Sequence, residues 1–324
     1  MDASTDSLET LAQKGWDVLN AEQFDEARVI GEQLIAQQHI DGYRILAEIY
    51  RLEEEPEDGI AILKQGVRAF DQNWELHLEL GNMLSEVGKP QEAIEAYHTA
   101  KDLPNAEIHW LEINHAAARF KLGEIEEALT QLQEISEPTA MAEAFLMQMN
   151  ILEVINRQDL ILQIAEEDLE KIPAPEDDDG ADTLSKICTK IASAAYHQEE
   201  EREKVMHYVQ QALFLFRENE EALWLLRELQ PEFSDTARMY VLLVSGEFVQ
   251  DEGEEAEGFL SSYGIIAEDT NEAMEMIKSF EKLVEEVNPD SLKIVEVDEA
   301  ENEDDDAKGL YFVSGFGVLE NIEE

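Results

Sequence analysis

The chain has 324 residues, 76 of them acidic and 23 basic, for a formal net charge of −53. Its 44% hydrophobic content is enough for a core, and 16 glycines and 8 prolines exclude a collagen-like or broadly low-complexity chain. A single cysteine, Cys188, excludes a disulfide framework and a multi-cysteine metal site.

So negative a surface repels nucleic acid and anionic lipid and attracts basic protein surfaces. Simple solubility accounts for the charge equally well. The acids divide into 54 Glu and 22 Asp, a bias that follows helix propensity better than adaptation to salt. The longest apolar run, near residues 239–244, is far too short for a bilayer helix. The opening Met1-Asp2-Ala3-Ser4-Thr5-Asp6 has neither a basic nor an apolar leader region. These features predict a cytoplasmic protein.

An internal period dominates the first part. Gly15, Ala47, Gly81 and Ala116 are spaced by 32, 34 and 35 residues. Twelve residues after each stands another small residue: Ala27, Gly59, Ala93 and Ala128. Two small-residue series in step predict repeated pairs of helices crossing closely at those points. The third unit, 74–104, is the clearest, with Leu80-Gly81, Leu84, Gly88, Ala93, Tyr97, Ala100 and Pro104. Its Gly88-Lys89-Pro90 reads as a turn, glycine ending one helix and proline opening the next.

These residues resemble the tetratricopeptide repeat, a helix–turn–helix unit of about 34 residues. The resemblance covers about residues 7–230, in units at about 8–38, 40–72, 74–104, 109–138, 141–173 and 183–216. A capping helix is predicted at 219–230, with Leu223, Trp224, Leu226 and Leu229. An acidic break, Pro173-Ala174-Pro175-Glu176-Asp177-Asp178-Asp179-Gly180, separates the fifth unit from the sixth.

After Pro231 the pattern changes. Residues 238–248 are rich in β-branched and aromatic types and read as a strand, as do 262–268. A helix opens at Asp269 or Thr270 and runs to about Val287, with Ala273, Ile277, Phe280 and Val284 as its apolar stripe. Strands follow at 292–297 and 310–319. The fold class is therefore α+β: an N-terminal α-solenoid of tetratricopeptide-like helix pairs (1–231), then a small α+β domain (236–324) with an antiparallel sheet and one helix. The acidic tracts 251–257 and 298–306 are expected to be hairpin loops held open by self-repulsion.

No catalytic constellation emerges, so the chain is expected not to be an enzyme, with no cofactor and no metal. Cys188 lies at apolar helical spacing and reads as a packing residue. The seven histidines form no H-E-x-x-H pair. EF-hand spacing fails around both Gly180 and Gly309. Gly315-Phe316-Gly317 lacks the third glycine and the helix of a dinucleotide loop.

The resemblance implies that the first helix of each unit lines a concave face. It places there Ala12, Trp16 and Leu19; Arg44, Glu48 and Arg51; Leu78, Asn82 and Ser85; and Trp110, Ile113, Ala117 and Phe120. A groove for an extended or helical peptide would use Trp16, Trp110 and Phe120 as apolar anchors. Arg44 and Arg51 would hold a carboxylate or carbonyl. The same aromatics are equally suited to packing between units. Some members of the family clamp a C-terminal carboxylate with lysines and asparagines. Here only Asn82 stands at a matching place. The functional expectation is a cytoplasmic protein–protein interaction adaptor with a basic protein partner, no direct nucleic acid binding and no membrane. The alternative is an immunity-type or nucleic-acid-mimic neutraliser of a basic toxin or DNA/RNA-binding protein.

Overall fold

The structure is a computed structural model that describes residues 3–229, 231–249, 257–284, 287–302 and 306–318. The chain forms two compact units, Met1–Ile151 and Leu152–Glu324.

The first unit is built of helix pairs: α1 (Ala3–Asn20) with α2 (Phe24–Ala36), α3 (Ile40–Leu52) with α4 (Pro56–Ala69), α5 (Trp74–Glu86) with α6 (Pro90–Lys101), and α7 (Ile108–Lys121) with α8 (Ile125–Gln133). Each of these helices packs on the next, and α1, α3, α5 and α7 also touch in series. The small residues are why the pairs can approach. A Cβ built on Gly81 would lie 2.4 Å from the ring of Tyr97, and one on Gly59 would lie 3.1 Å from the Ala47 carbonyl oxygen. Ala27, Ala93, Ala116 and Ala128 are fully buried at the matching crossings. Around them, Leu63, Leu76, Leu80, Met83, Leu84, Tyr97 and Leu111 form one continuous apolar core. Its burial is the main source of stability for units that bury little alone.

The turns repeat as strictly as the crossings. A left-handed residue ends the first helix of every pair: Glu22, Glu54, Gly88, Gly123, Asn156 and Glu199, at spacings of 32, 34, 35, 33 and 43. In all six the next residue's N–H reaches back to a carbonyl five positions earlier, at 2.8–3.1 Å, as in Lys89 to Leu84 and Glu200 to Ala195. This backbone motif satisfies carbonyls that a helix end would otherwise leave without a partner.

The last two turns belong to α9 (Pro138–Val154) with α10 (Gln158–Asp168) and to α11 (Asp178–His197) with α12 (Arg202–Leu215). The longer final spacing comes from the segment 169–177, which includes most of the acidic break. It holds a short 3-10 turn, Leu169–Lys171, and ends where the Asp177 carboxylate caps α11 by accepting from the Gly180 N–H at 2.8 Å.

In the second unit, α13 (Glu220–Glu228), capped by Asn219, leads into the sheet. Its strands are β1 (Arg238–Glu247), β2 (Gly258–Ala267), β3 (Lys293–Glu301), β4 (Gly309–Val313) and β5 (Gly317–Val318). All pairings are antiparallel, in the order β3-β1-β2-β4, with β5 also on β2. One helix, α14 (Thr270–Val284), lies on β2 and β4. The Asp269 carboxylate starts it by accepting from the N–H groups of Asn271 and Glu272. Its stripe of Ala273, Ile277, Phe280 and Val284 is buried, as are Tyr240, Leu242, Val244, Phe259, Tyr263 and Ile265 of the sheet.

Two details differ from the sequence expectation. The tract 298–301 is strand, not loop: Asp298 pairs with Val241 and Glu299 with Tyr240, because backbone pairing with β1 leaves these acid side chains in solvent. Residues 251–256 and 303–305 of the two acidic tracts lie outside the described residues. The last strand is broken between Val313 and Gly317, where Phe316 turns in against Phe248 and Phe259 with ring centroids 4.9 and 4.7 Å away. The helix predicted to cap the repeats packs on α11 and α12, with Trp224 edge-on to Tyr196, and also on β4, with Arg227 donating to the Leu310 carbonyl and lying over the Tyr311 ring.

Candidate functional site

A cavity of about 490 Å³ opens among α1, α3 and α5. Trp16 and Leu19 reach it from α1, Arg44, Glu48 and Arg51 from α3, and Glu79, Asn82 and Glu86 from α5. The three helices supply them because their packing in series puts one stripe of each on the same side. On α5 that stripe is Glu75, Glu79, Asn82 and Glu86, at helical spacings of four, three and four.

The side chains are held by one another. Arg44 Nε donates to Glu79 Oε1 at 2.6 Å, and Arg44 Nη1 lies 3.3 Å from Asp41 and 3.5 Å from Glu75. The same guanidinium sits 5.6 Å from the Trp16 ring centroid. Arg51 grips Glu48 through both Nε and Nη2. The Tyr97 hydroxyl donates to Asn82 Oδ1 at 2.9 Å, which fixes the amide with its NH2 free to donate elsewhere. Burial pushes the Glu79 carboxyl above its usual range, with Arg44 opposing the shift. Burial likewise raises the Tyr97 phenol, so it stays a donor.

Six of the residues expected from the sequence therefore come together here: Trp16, Leu19, Arg44, Glu48, Arg51 and Asn82. The remainder do not. Leu78 is half-buried against the core of α4–α6. Trp110 and Phe120 pack half-buried on a separate cluster formed with α8 and α9, and Ile113, only 6% exposed, is part of that cluster's core. Leu19, 4% exposed, offers the cavity a core edge rather than a free side chain. Ser85 is also buried, and Lys121 Nζ donates to its hydroxyl and carbonyl.

The Arg44 and Arg51 guanidiniums are already engaged by carboxylates of their own unit, so an incoming carboxylate would meet Glu48, Glu79 and Glu86 first. The sequence reading missed Glu22, Glu79 and Glu86, which also line the cavity. The four-three-four stripe on α5 was the available signal; a register one residue off selected Leu78 in place of Glu79.

Elsewhere, Cys188 is buried and burial pushes its thiol up to about 12, which leaves it inert as a nucleophile. Among the described residues no group of three His, Cys, Asp or Glu is placed to hold a metal ion. Among them, too, no helix is long and apolar enough to cross a membrane.

No family model matches the chain, and no curated protein matches it in sequence. Solved structures do resemble it. PilW, a widely conserved type IV pilus biogenesis factor, has a TM-score of 0.49 and 16% identity, over 68% of this chain and 98% of that one. PilF of Pseudomonas aeruginosa has a TM-score of 0.48 and 14% identity, over 70% of this chain and 100% of that one. YrrB, described as a TPR protein with an unusual peptide-binding site, has a TM-score of 0.35 and 14% identity, over 70% and 98%. The small-residue crossings and six equivalent left-handed turns make the helical part of this chain a tetratricopeptide-type repeat array.

Proposed function

We propose that the first compact unit is a protein-interaction module that takes a segment of a partner into the cavity among α1, α3 and α5, and that the segment is basic. One observation carries this reading. Glu22, Glu48, Glu79 and Glu86 line a cavity whose only described cations, Arg44 and Arg51, are already paired. The Trp16 ring adds an apolar wall that lysine and arginine stems pack on well. The Asn82 amide is set to bond a backbone or side-chain acceptor of the visitor. The adaptor role belongs to this proposal, as does the absence of catalysis.

The test is affinity capture with the whole chain at low and high salt, comparing it with Glu22→Lys/Glu86→Lys and with Trp16→Ala. Both Glu22 and Glu86 are exposed, so reversing them leaves the core intact. The charge variant should lose partners that the parent retains. An identical set of captured polypeptides from all three proteins would remove the cavity from the mechanism. Neutralisation of a basic protein by charge alone is the second reading, supported by the net charge of −53. It requires every capture to vanish near 1 M salt, where the screening length is about 3 Å.

A further inference from the structure

We infer that the open edge of β3 is a docking site for an extended basic segment, which adds to the sheet as a further strand. The site lies in the second compact unit and does not depend on the cavity described above.

The two edges of the sheet are treated differently. At one edge, β4 has five residues, its Leu310 carbonyl accepts from Arg227, and α13 packs along it. At the other, β3 runs for nine residues, none of them buried, and among the described residues it pairs with β1 alone. A long edge presents a row of backbone donors and acceptors that another strand can use.

The side chains specify the occupant. Glu296 and Asp298 stand opposite Leu243 and Val241 on one face, while Val297 stands opposite Leu242 on the other. Val297 is 42% exposed, and Val295 falls at the irregularity where the register with β1 shifts between Leu243 and Val244. Residues opposite one another on neighbouring strands share a face. A visiting strand with lysine or arginine facing Glu296 and Asp298 and an aliphatic side chain beside Val297 would therefore meet both in register, while Glu299 and Glu301 add carboxylates farther along the Val297 face. Acids on an edge are also what keeps copies of one protein apart. Here the two effects coincide: a second copy of this chain is repelled, and a cationic strand is admitted.

The experiment uses the full chain and a blocked peptide of alternating lysine and valine at physiological ionic strength. Three results are expected. The peptide binds and slows amide exchange across 293–301. The same peptide, N-methylated at every second residue, binds about tenfold or more weakly at unchanged charge. Glu296→Lys/Asp298→Lys, with an unchanged melting temperature, weakens the unmodified peptide by about tenfold or more. The Glu22→Lys/Glu86→Lys variant should bind it as the parent does. No binding, equal binding of the N-methylated peptide, protection outside β3, or loss of binding in the cavity variant would each overturn the assignment.

Discussion

The Arg217 guanidinium donates to Glu281 Oε1 at 2.7 Å, linking the α12–α13 corner to α14, with side-chain exposures of 7% and 0%. The Tyr263 hydroxyl donates to the same oxygen at 2.7 Å, and Phe316 lies on the guanidinium, 3.7 Å from centroid to Cζ. Burial pushes the Glu281 carboxyl up, while Arg217 and Tyr263 hold it down. A buried pair is weak evidence of net stabilisation, but removing one member strands the other in a low dielectric.

Arg217→Ala is therefore expected to lower stability by about 3–5 kcal/mol in urea unfolding. Replacing both charges, Arg217→Met with Glu281→Leu, should recover most of the loss. A double variant no more stable than Arg217→Ala would mean that packing by the arginine stem, not charge pairing, sets the effect. By the same geometry, a fragment beginning at 232 loses Arg217 and the Gln210 bond to the Leu283 carbonyl at 3.0 Å. It should unfold without a cooperative transition.

Gly81→Ala places a methyl 2.4 Å from the Tyr97 ring. The ring is buried and its hydroxyl is tied to Asn82, so it has little room to give. A loss of about 1–3 kcal/mol is expected, the range for overpacking. Thermal melting, with tyrosine absorbance as a reporter of the Tyr97 site, measures it.

The six left-handed turns allow a gain as well as a loss. Glu54 and Glu199 adopt φ of 62° and 55°, where a side chain is strained. Glu54→Gly and Glu199→Gly should each stabilise by about 0.5–1 kcal/mol. A methyl on Gly88 or Gly123 meets nothing within 4 Å, so Gly88→Ala or Gly123→Ala should cost about 1 kcal/mol through the backbone alone. Denaturant midpoints at constant slope would show both signs.

Glu112 sits among His115, Lys101 and Gln131, and contact with His115, then Lys101, lowers its carboxyl to about 2. A carboxyl depressed in the folded state stabilises above its unfolded value, about 4.3 for glutamate, and that contribution is lost as pH falls toward the folded value. The parent should therefore lose stability relative to Glu112→Gln between about pH 5 and pH 2. Parallel stability curves for the two proteins across that window would refute this role.

The repeat period, the close crossings at Gly15, Ala47, Gly81 and Ala116, and the order of strands and helix after Pro231 were legible in the sequence. Each depends on local geometry: a small residue where helices touch, a turn residue where they end, a period of two or of 3.6. Six of the cavity's residues, Arg44, Glu48 and Arg51 of α3 among them, were reached through the resemblance to the tetratricopeptide repeat, which implies the inward positions of each first helix. Tertiary structure alone decided the rest. Which stripe of α5 faces the cavity depends on how α5 rotates against α3, and that put Glu79 rather than Leu78 beside Arg44. The burial of Arg217 against Glu281, 64 residues along the chain, joins the α12–α13 corner to α14 through a contact that no local spacing encodes.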